Sequence, residues 1–299
     1  MELWFLLALL SPAIFSVVNF VDKFVVESKV KDYRGIPVYS AIVGFAGGTI
    51  LWLLFGRPVL PFFDALIVLL TGALTVWGYA FYFRALASSQ TSYIIGLFQM
   101  IPVITLLLSF IFLQEKISPL QLGGFFLVLF SAVALSYQKS KKKFKLDPSF
   151  YWILIADVFF AASAVIFKFA VEANSFSKIL SYESWGIGIG GLALFLLFPS
   201  VRNAFIKTNK EVGRKVMSIM LLNEVILIAA KGVMFLAISL GSVALVSVLG
   251  GTQVFYGIIF GYILTLIAPK IFKENIERKG LAIKVLWMSV LFLGIWLTQ

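Results

Sequence analysis

Two ionisable residues inside one long apolar run raise the first chemical question. Glu224 and Lys231 lie seven residues apart in the stretch 216–240. Seven residues make about two helical turns, which puts both on one face roughly 10 Å apart. That is too far for a direct salt bridge, so each charge needs another partner: a ligand, water, or a group on a neighbouring helix. A zwitterionic solute could give its carboxylate to Lys231 and its amine to Glu224, with Asn223 alongside. An interhelical polar network that only fixes packing would satisfy the same residues. Asp157, in 150–171, is a third such group. Low dielectric favours the neutral form of a carboxyl group, which is what proton coupling needs, and Glu224 shares this property. For Asp157 a hydrogen bond to a neighbouring hydroxyl is the alternative.

Other chemistry is removed by absence. The chain has no His and no Cys. That excludes His acid/base catalysis, thiolate or imidazole metal sites, Ser-His-Asp and Cys-His arrangements, and disulfides. No HExxH, GxSxG or GxxxxGK[ST] pattern occurs either. The expectation is therefore a protein that is not an enzyme and needs no cofactor or metal. A membrane-embedded lipid-modifying enzyme is the weakest alternative.

Aromatic and amide side chains form a second group. Trp77, Tyr79 and Tyr82 fall in 62–86, Tyr93 and Gln99 in 91–113, and Gln253 and Tyr256 in 243–267. Aromatic faces with a few hydrogen-bonding tips suit an apolar or zwitterionic metabolite; interfacial belts are the other use of such residues. Pro102 is expected to interrupt its helix near the middle and free a carbonyl. Asp22, Lys23, Glu27, Arg84 and Glu183 read as span ends within reach of headgroups. Glu115 reads as a cap on the helix that begins near Ser118.

The elements that must carry these residues are membrane helices. Of 299 residues, 61% are hydrophobic and 13% charged, with 31 Phe, 7 Trp and 10 Tyr, and mean hydropathy is +1.01. A soluble domain is about 45–50% apolar and about 25% charged. A bilayer core of ~30 Å needs about 20 apolar residues per helix. Ten stretches qualify: 3–20, 36–55, 62–86, 91–113, 118–137, 150–171, 179–198, 216–240, 243–267 and 281–298. They are apolar throughout rather than alternating, which argues against a barrel. The first stretch lacks a basic leader and a cleavage site, so it is kept as a span.

The run Lys139 to Lys145 divides the chain into a first five-helix unit (1–137), a basic linker (138–149) and a second five-helix unit (150–299). The halves share weak matches. Lys23-Phe24-Val25-Val26-Glu27 corresponds to Lys168-Phe169-Ala170-Val171-Glu172 at an offset of 145, Gly44-x-x-x-Gly48 to Gly186-x-x-x-Gly190 at 142, and Glu115-Lys116-Ile117 to Glu274-Asn275-Ile276 at 159. An odd number of spans per copy makes the repeat inverted, an architecture typical of secondary transporters. Gly44, Gly48, Gly186 and Gly190 are expected to let helix backbones approach closely.

The net charge of +11 would suggest nucleic acid in a soluble protein. Here 20 of the 25 Lys and Arg fall in, or within four residues of, the connections after odd-numbered spans. The positive-inside rule then places those loops in the cytoplasm of a plasma-membrane protein and both termini outside. Partners are a small solute and lipids rather than nucleic acid, with the chain a monomer or homodimer.

Ten spans in two halves, a basic linker, and the stretch Arg84-Ala85-Leu86-Ala87, Pro102, Glu115-Lys116-Ile117-Ser118, Gln121 and Gly123 resemble the EamA family of the drug/metabolite transporter superfamily. The likeness is strongest from Tyr79 to Leu135. It implies a ten-helix carrier of small metabolites, often an exporter of amino acids or related compounds, working by alternating access. The second half departs from the family pattern: 243–267 has no proline matching Pro102, and the connection 269–279 is longer and more charged. The expected function is thus an alternating-access exporter of amino-acid-like or drug-like solutes, proton- or exchange-coupled. A carrier of lipid-linked cargo is the alternative.

Overall fold

The computed structural model describes residues 2–28, 30, 32–88, 94, 97–136, 148–267 and 278–298, and among these every regular element is helical. In chain order the helices are α1 (Leu3–Ser28), α2 (Pro37–Leu54), α3 (Phe62–Ser88), α4 (Met100–Phe112), α5 (Pro119–Ser136), α6 (Pro148–Ala173), α7 (Phe176–Leu197), α8 (Pro199–Glu211), α9 (Arg214–Leu240), α10 (Val243–Leu249), α11 (Gln253–Ile267) and α12 (Arg278–Thr298). Short 3-10 turns occupy Tyr33–Gly35 and Gly250–Thr252. Helices α2, α5, α6 and α8 each begin on proline. Its fixed φ suits the first turn, where the missing N–H would have no partner in any case.

Seven segments are long and apolar enough to cross a membrane: Leu3–Val26, Tyr33–Leu54, Phe62–Ser88, Pro148–Ala173, Phe176–Leu197, Arg214–Leu240 and Val243–Leu264. The other three expected spans are represented by shorter apolar helices, Met100–Phe112, Pro119–Ser131 and Leu286–Thr298. Large apolar side chains such as Phe110, Ile111, Phe112, Leu196 and Leu197 face outward. An apolar exterior is the mark of a protein whose solvent is lipid.

Helix α1 continues eight residues past the expected end at Phe20. Val21, Phe24, Val25 and Val26 keep the run apolar, and two of the charges within it, Asp22 and Lys23, find partners described below. The expected single helix over 91–113 has a turn at Phe98–Gln99, just before Pro102, so the proline occupies the first turn of α4 rather than a mid-helix position. The residue before a proline is pushed away from helical geometry, and a helix start costs less than a kink. The span over 243–267 is also interrupted, by Gly250–Thr252. The linker residues 138–147, Tyr93 and Glu274-Asn275-Ile276 lie outside the described residues.

Packing is between particular pairs. Helix α1 lies against α9, α10 and α11; α3 lies against α6 and α7; α2 packs on α7, α4 on α6 and α10, and α5 on α12. The α3–α7 crossing is the tightest. A Cβ at Gly72 would sit 2.0 Å from the Glu183 carbonyl oxygen, and one at Gly186 would sit 2.2 Å from that of Leu69. Only glycine fits there, and the same contact brings the Glu183 backbone against α3. Gly44 and Gly48 meet α7 backbone at 2.8 Å from Ser184 O and Ser181 O, and Gly190 meets Ala73 Cα of α3 at 2.7 Å.

Glu115 does not cap the helix that follows it. Its Oε1 accepts from Val243 N at 2.9 Å and its Oε2 from Ser242 Oγ at 2.9 Å, so it sits on the N-terminus of α10 in the other half of the chain. There it meets the unsatisfied N–H groups and the positive end of the helix dipole. The start of α5 is served locally instead, by reciprocal bonds between Ser118 and Gln121, each at 3.2 Å.

Candidate functional site

A cavity of about 160 Å³ opens between the first helices of the chain and the long helices of the second half. From α1 it is lined by Ala8, Ser11, Pro12, Phe15, Asn19 and Asp22. Their spacing of three, one, three, four and three residues is that of one helix face. Pro12 gives the cavity side of α1 a carbonyl, that of Ala8, with no N–H to take up. Helix α3 contributes Thr75, Tyr79 and Tyr82, and α9 contributes a second stripe, Leu227, Lys231, Met234, Phe235 and Ile238. Both interrupted spans reach the cavity at their breaks. Phe98, Gln99 and Pro102 come from one, and Gly250, Gly251 and Gln253 from the other. Broken helices at membrane depth are tolerated where they line a cavity.

Lys231 is buried and ion-paired with Glu183 of α7. It also donates to Thr75 Oγ1, which lies 2.9 Å from Ser163 Oγ of α6, and its ammonium stands 4.7 Å from the centre of the Phe235 ring. Glu183 is 2% exposed, far from the interfacial position expected of it. It lies seven residues into α7, and the glycine crossing with α3 holds that part of the helix deep in the packing. So Lys231 has an internal counter-ion, and it needs no ligand carboxylate for neutrality.

A second polar cluster surrounds Asp22. The longer α1 carries this residue to the cavity wall, where it is 7% exposed rather than at a headgroup. Asn223 Nδ2 donates to Asp22 Oδ1 at 2.8 Å. The Tyr82 hydroxyl is shared between Asp22 Oδ2 at 3.2 Å and Asn19 Oδ1 at 3.3 Å. Every one of these donors is neutral. Asn19 Nδ2 has no hydrogen-bond partner among the described residues.

The remaining predicted residues divide. Tyr79, Tyr82, Gln99, Gln253 and Pro102 line the cavity with Lys231. Tyr79 packs on Phe160 at 5.4 Å and Tyr82 stacks on Phe98 at 5.7 Å, while the Gln253 carbonyl takes a bond from Ser16 Oγ at 2.9 Å. Glu224 is not on the cavity wall; it accepts from Ser40 Oγ of α2 at 2.7 Å. Asn223 reaches the cavity only through Asp22. Trp77 turns to α7, donating to Gly190 O at 3.2 Å, and Tyr256 lies against Phe255 and Phe260. Asp157 is fully buried, off the cavity wall, and neither of its oxygens has a hydrogen-bond partner among the described residues. A zwitterion bridging Lys231 and Glu224 therefore has no matching geometry, because Glu224 belongs to a different contact.

Asn19 is not among the residues the sequence singles out, and Asp22 and Glu183, expected at span ends, stand in or beside the cavity instead. The signal was present for two of them: Asn19 and Asp22 fall in register with Ala8, Ser11 and Phe15 once the helix is allowed its full length. No group of three or more His, Cys, Asp or Glu able to hold a metal is found among the described residues.

Off the cavity wall, two lysines do the same work. Lys23 of α1 donates to Leu86 O near the end of α3 at 3.2 Å. Lys168 of α6 donates to Ile238 O and Gly241 O at the end of α9, at 3.2 and 3.0 Å. Lysine at helix C-terminal carbonyls opposes the negative end of the dipole.

A solved crystal structure of another protein is similar over 99% of this chain and 95% of its own, with a TM-score of 0.68 and 16% identity, which speaks for the fold alone. No curated protein matches the sequence. Residues 2–137 match the EamA-like transporter family, in agreement with apolar helices around a largely apolar cavity that carries a few polar and charged side chains. The match covers just under half of a chain whose long apolar helices make it a multi-pass membrane protein similar, over residues 2–137, to the EamA-like transporters.

Proposed function

We propose that the protein is a secondary carrier of small organic solutes, amino-acid-like or drug-like, which it exports by alternating access between two inverted five-helix units, 1–137 and 150–299. The observation that carries this reading is the cavity, walled by both halves and by both broken spans, with charged side chains that lipid would not tolerate. Such a site between repeats is where transporters of this architecture hold their cargo.

Reciprocal packing supports the inverted repeat. If spans one to five correspond to six to ten, the α1–α9 contact is the image of α3–α6, and α1 against α10 and α11 is the image of α4 against α6. The contacts α2–α7 and α5–α12 are then their own images. Lys23 and Lys168, matched in sequence, hold the ends of the corresponding helices α3 and α9. Orientation draws support from the turn Tyr33–Gly35, which packs on α8 and so joins two basic connections at one end of the molecule. The positive-inside rule assigns that end to the cytoplasm. Asp157 and Glu224 are the groups we assign to proton coupling, since neither has a cationic partner among the described residues.

The test is counterflow of radiolabelled leucine and leucinamide in reconstituted vesicles. Exchange of at least one of the two above that of protein-free vesicles is expected, and wild-type vesicles with no exchange of either solute overturn the reading.

A further inference from the structure

The cavity's charges do not cancel. Lys231 is neutralised by Glu183, and the amides and hydroxyls on the walls carry no charge. Asp22 is left, bound only by the neutral donors Tyr82 and Asn223, with no cation in salt-bridge reach among the described residues. A carboxylate taken out of water without a counter-ion is costly, and hydrogen bonds from neutral groups recover only part of that cost. The rings of Phe15, Tyr79 and Phe98 share the same wall, and aromatic faces attract cations as well as apolar bodies. Beside Asp22 stands a second unused group: Asn19 is 6% exposed, lines the cavity, and has an Nδ2 with no partner among the described residues. It calls for an acceptor oxygen close to the cation. A volume of about 160 Å³ admits a body near benzene in size.

Resting on the carrier reading above, we infer that Asp22 is the docking point for the ammonium group of a small monocationic amine whose neighbouring carbonyl or hydroxyl oxygen is read by Asn19. The cargo is then an amine with a neutral acceptor, such as an amino-acid amide, rather than a zwitterion. A free carboxylate would have to detach Lys231 from Glu183 to be neutralised, or be left unmatched. The apolar tail of the ligand would lie towards Leu227 and Met234.

Equilibrium binding to the full-length protein in vesicles tests this with four probes of similar shape: leucinamide (cation with acceptor), 3-methylbutylamine (cation alone), leucine (zwitterion) and 4-methylpentanoate (anion). Leucinamide should bind at least tenfold more tightly than leucine or 4-methylpentanoate. Asp22→Asn, which keeps the shape and the bond from Asn223 and lets the Tyr82 hydroxyl accept where it had donated, should lose at least tenfold in leucinamide affinity. Asn19→Ala should lose about fivefold for leucinamide and leave 3-methylbutylamine unchanged, so the inference stays exposed even if Asp22→Asn fails to fold. Leucine or 4-methylpentanoate binding within threefold of leucinamide overturns it, as does binding of none of the four, or full affinity in Asp22→Asn. Binding is read without flux, so failure here is distinct from failure of the counterflow test.

Discussion

Two walls of one cavity handle buried charge in opposite ways. On the α9 side, Lys231 meets Glu183 and Thr75, and the protein supplies its own neutrality. On the α1 side, Asp22 meets a phenol and an amide, and neutrality is left to something else. The difference separates a charge that holds helices together from one that is available to bind. A buried ion pair locks α9 to α7 and is expensive to break from one side only. A carboxylate held by neutral donors is positioned without being satisfied.

The largest effect expected from breaking this comparison is at the locked wall. Glu183→Ala leaves Lys231 buried and unpaired, and should lower stability by about 3–5 kcal/mol in thermal or denaturant unfolding of the solubilised protein. Lys231→Met/Glu183→Leu should recover most of that loss, because two apolar groups of similar size replace the pair. Equal damage in the single and double variants would mean that the pair is not what holds the wall.

The crossing that buries Glu183 comes next. Gly186→Val places atoms where the Leu69 carbonyl already lies, 2.2 Å from the first added carbon, so α3 and α7 must separate. Overpacking of this kind costs about 1–3 kcal/mol, more where backbone cannot yield. If the unfolding midpoint does not move, the two backbones are not in contact. Glu115→Ala should cost about 1 kcal/mol by leaving the α10 N-terminus without its carboxylate. A double variant with Ser242→Ala would show whether the two caps act as one unit.

The smallest stability effect belongs to the other wall. Asp22→Asn should change the unfolding free energy by less than about 1 kcal/mol, in either direction, since it removes an uncompensated charge, keeps the bond from Asn223 and lets the Tyr82 hydroxyl accept where it had donated. A loss as large as that of Glu183→Ala would place Asp22 among the structural charges.

Much of the fold was legible because lipid imposes a simple rule on sequence. Apolar length located the helices, and the stripe Leu227, Lys231, Met234 and Phe235 was readable as one face. The errors came at charged residues near helix ends. Asp22 and Glu183 were read as interfacial because a charge in an apolar run is expensive; what made both positions affordable lies on other helices, in Tyr82, Asn223 and Lys231. Glu115 shows the same limit, since its partner on α10 is 128 residues away. The break at Gly250–Thr252 has no proline to mark it; paired glycines interrupt the helix there.

What the sequence determined by itself was the solvent: composition and run length oblige the backbone to satisfy its hydrogen bonds within helices, and basic residues mark the loops. What only the tertiary structure decided was which buried charges meet. Periodicity fixes the face of a helix on which a residue lies but not which face lies opposite, and the cost of a charge in low dielectric depends on that opposing group. Lys231 and Asp22 are both charges carried on apolar helices, and their different roles follow from their neighbours.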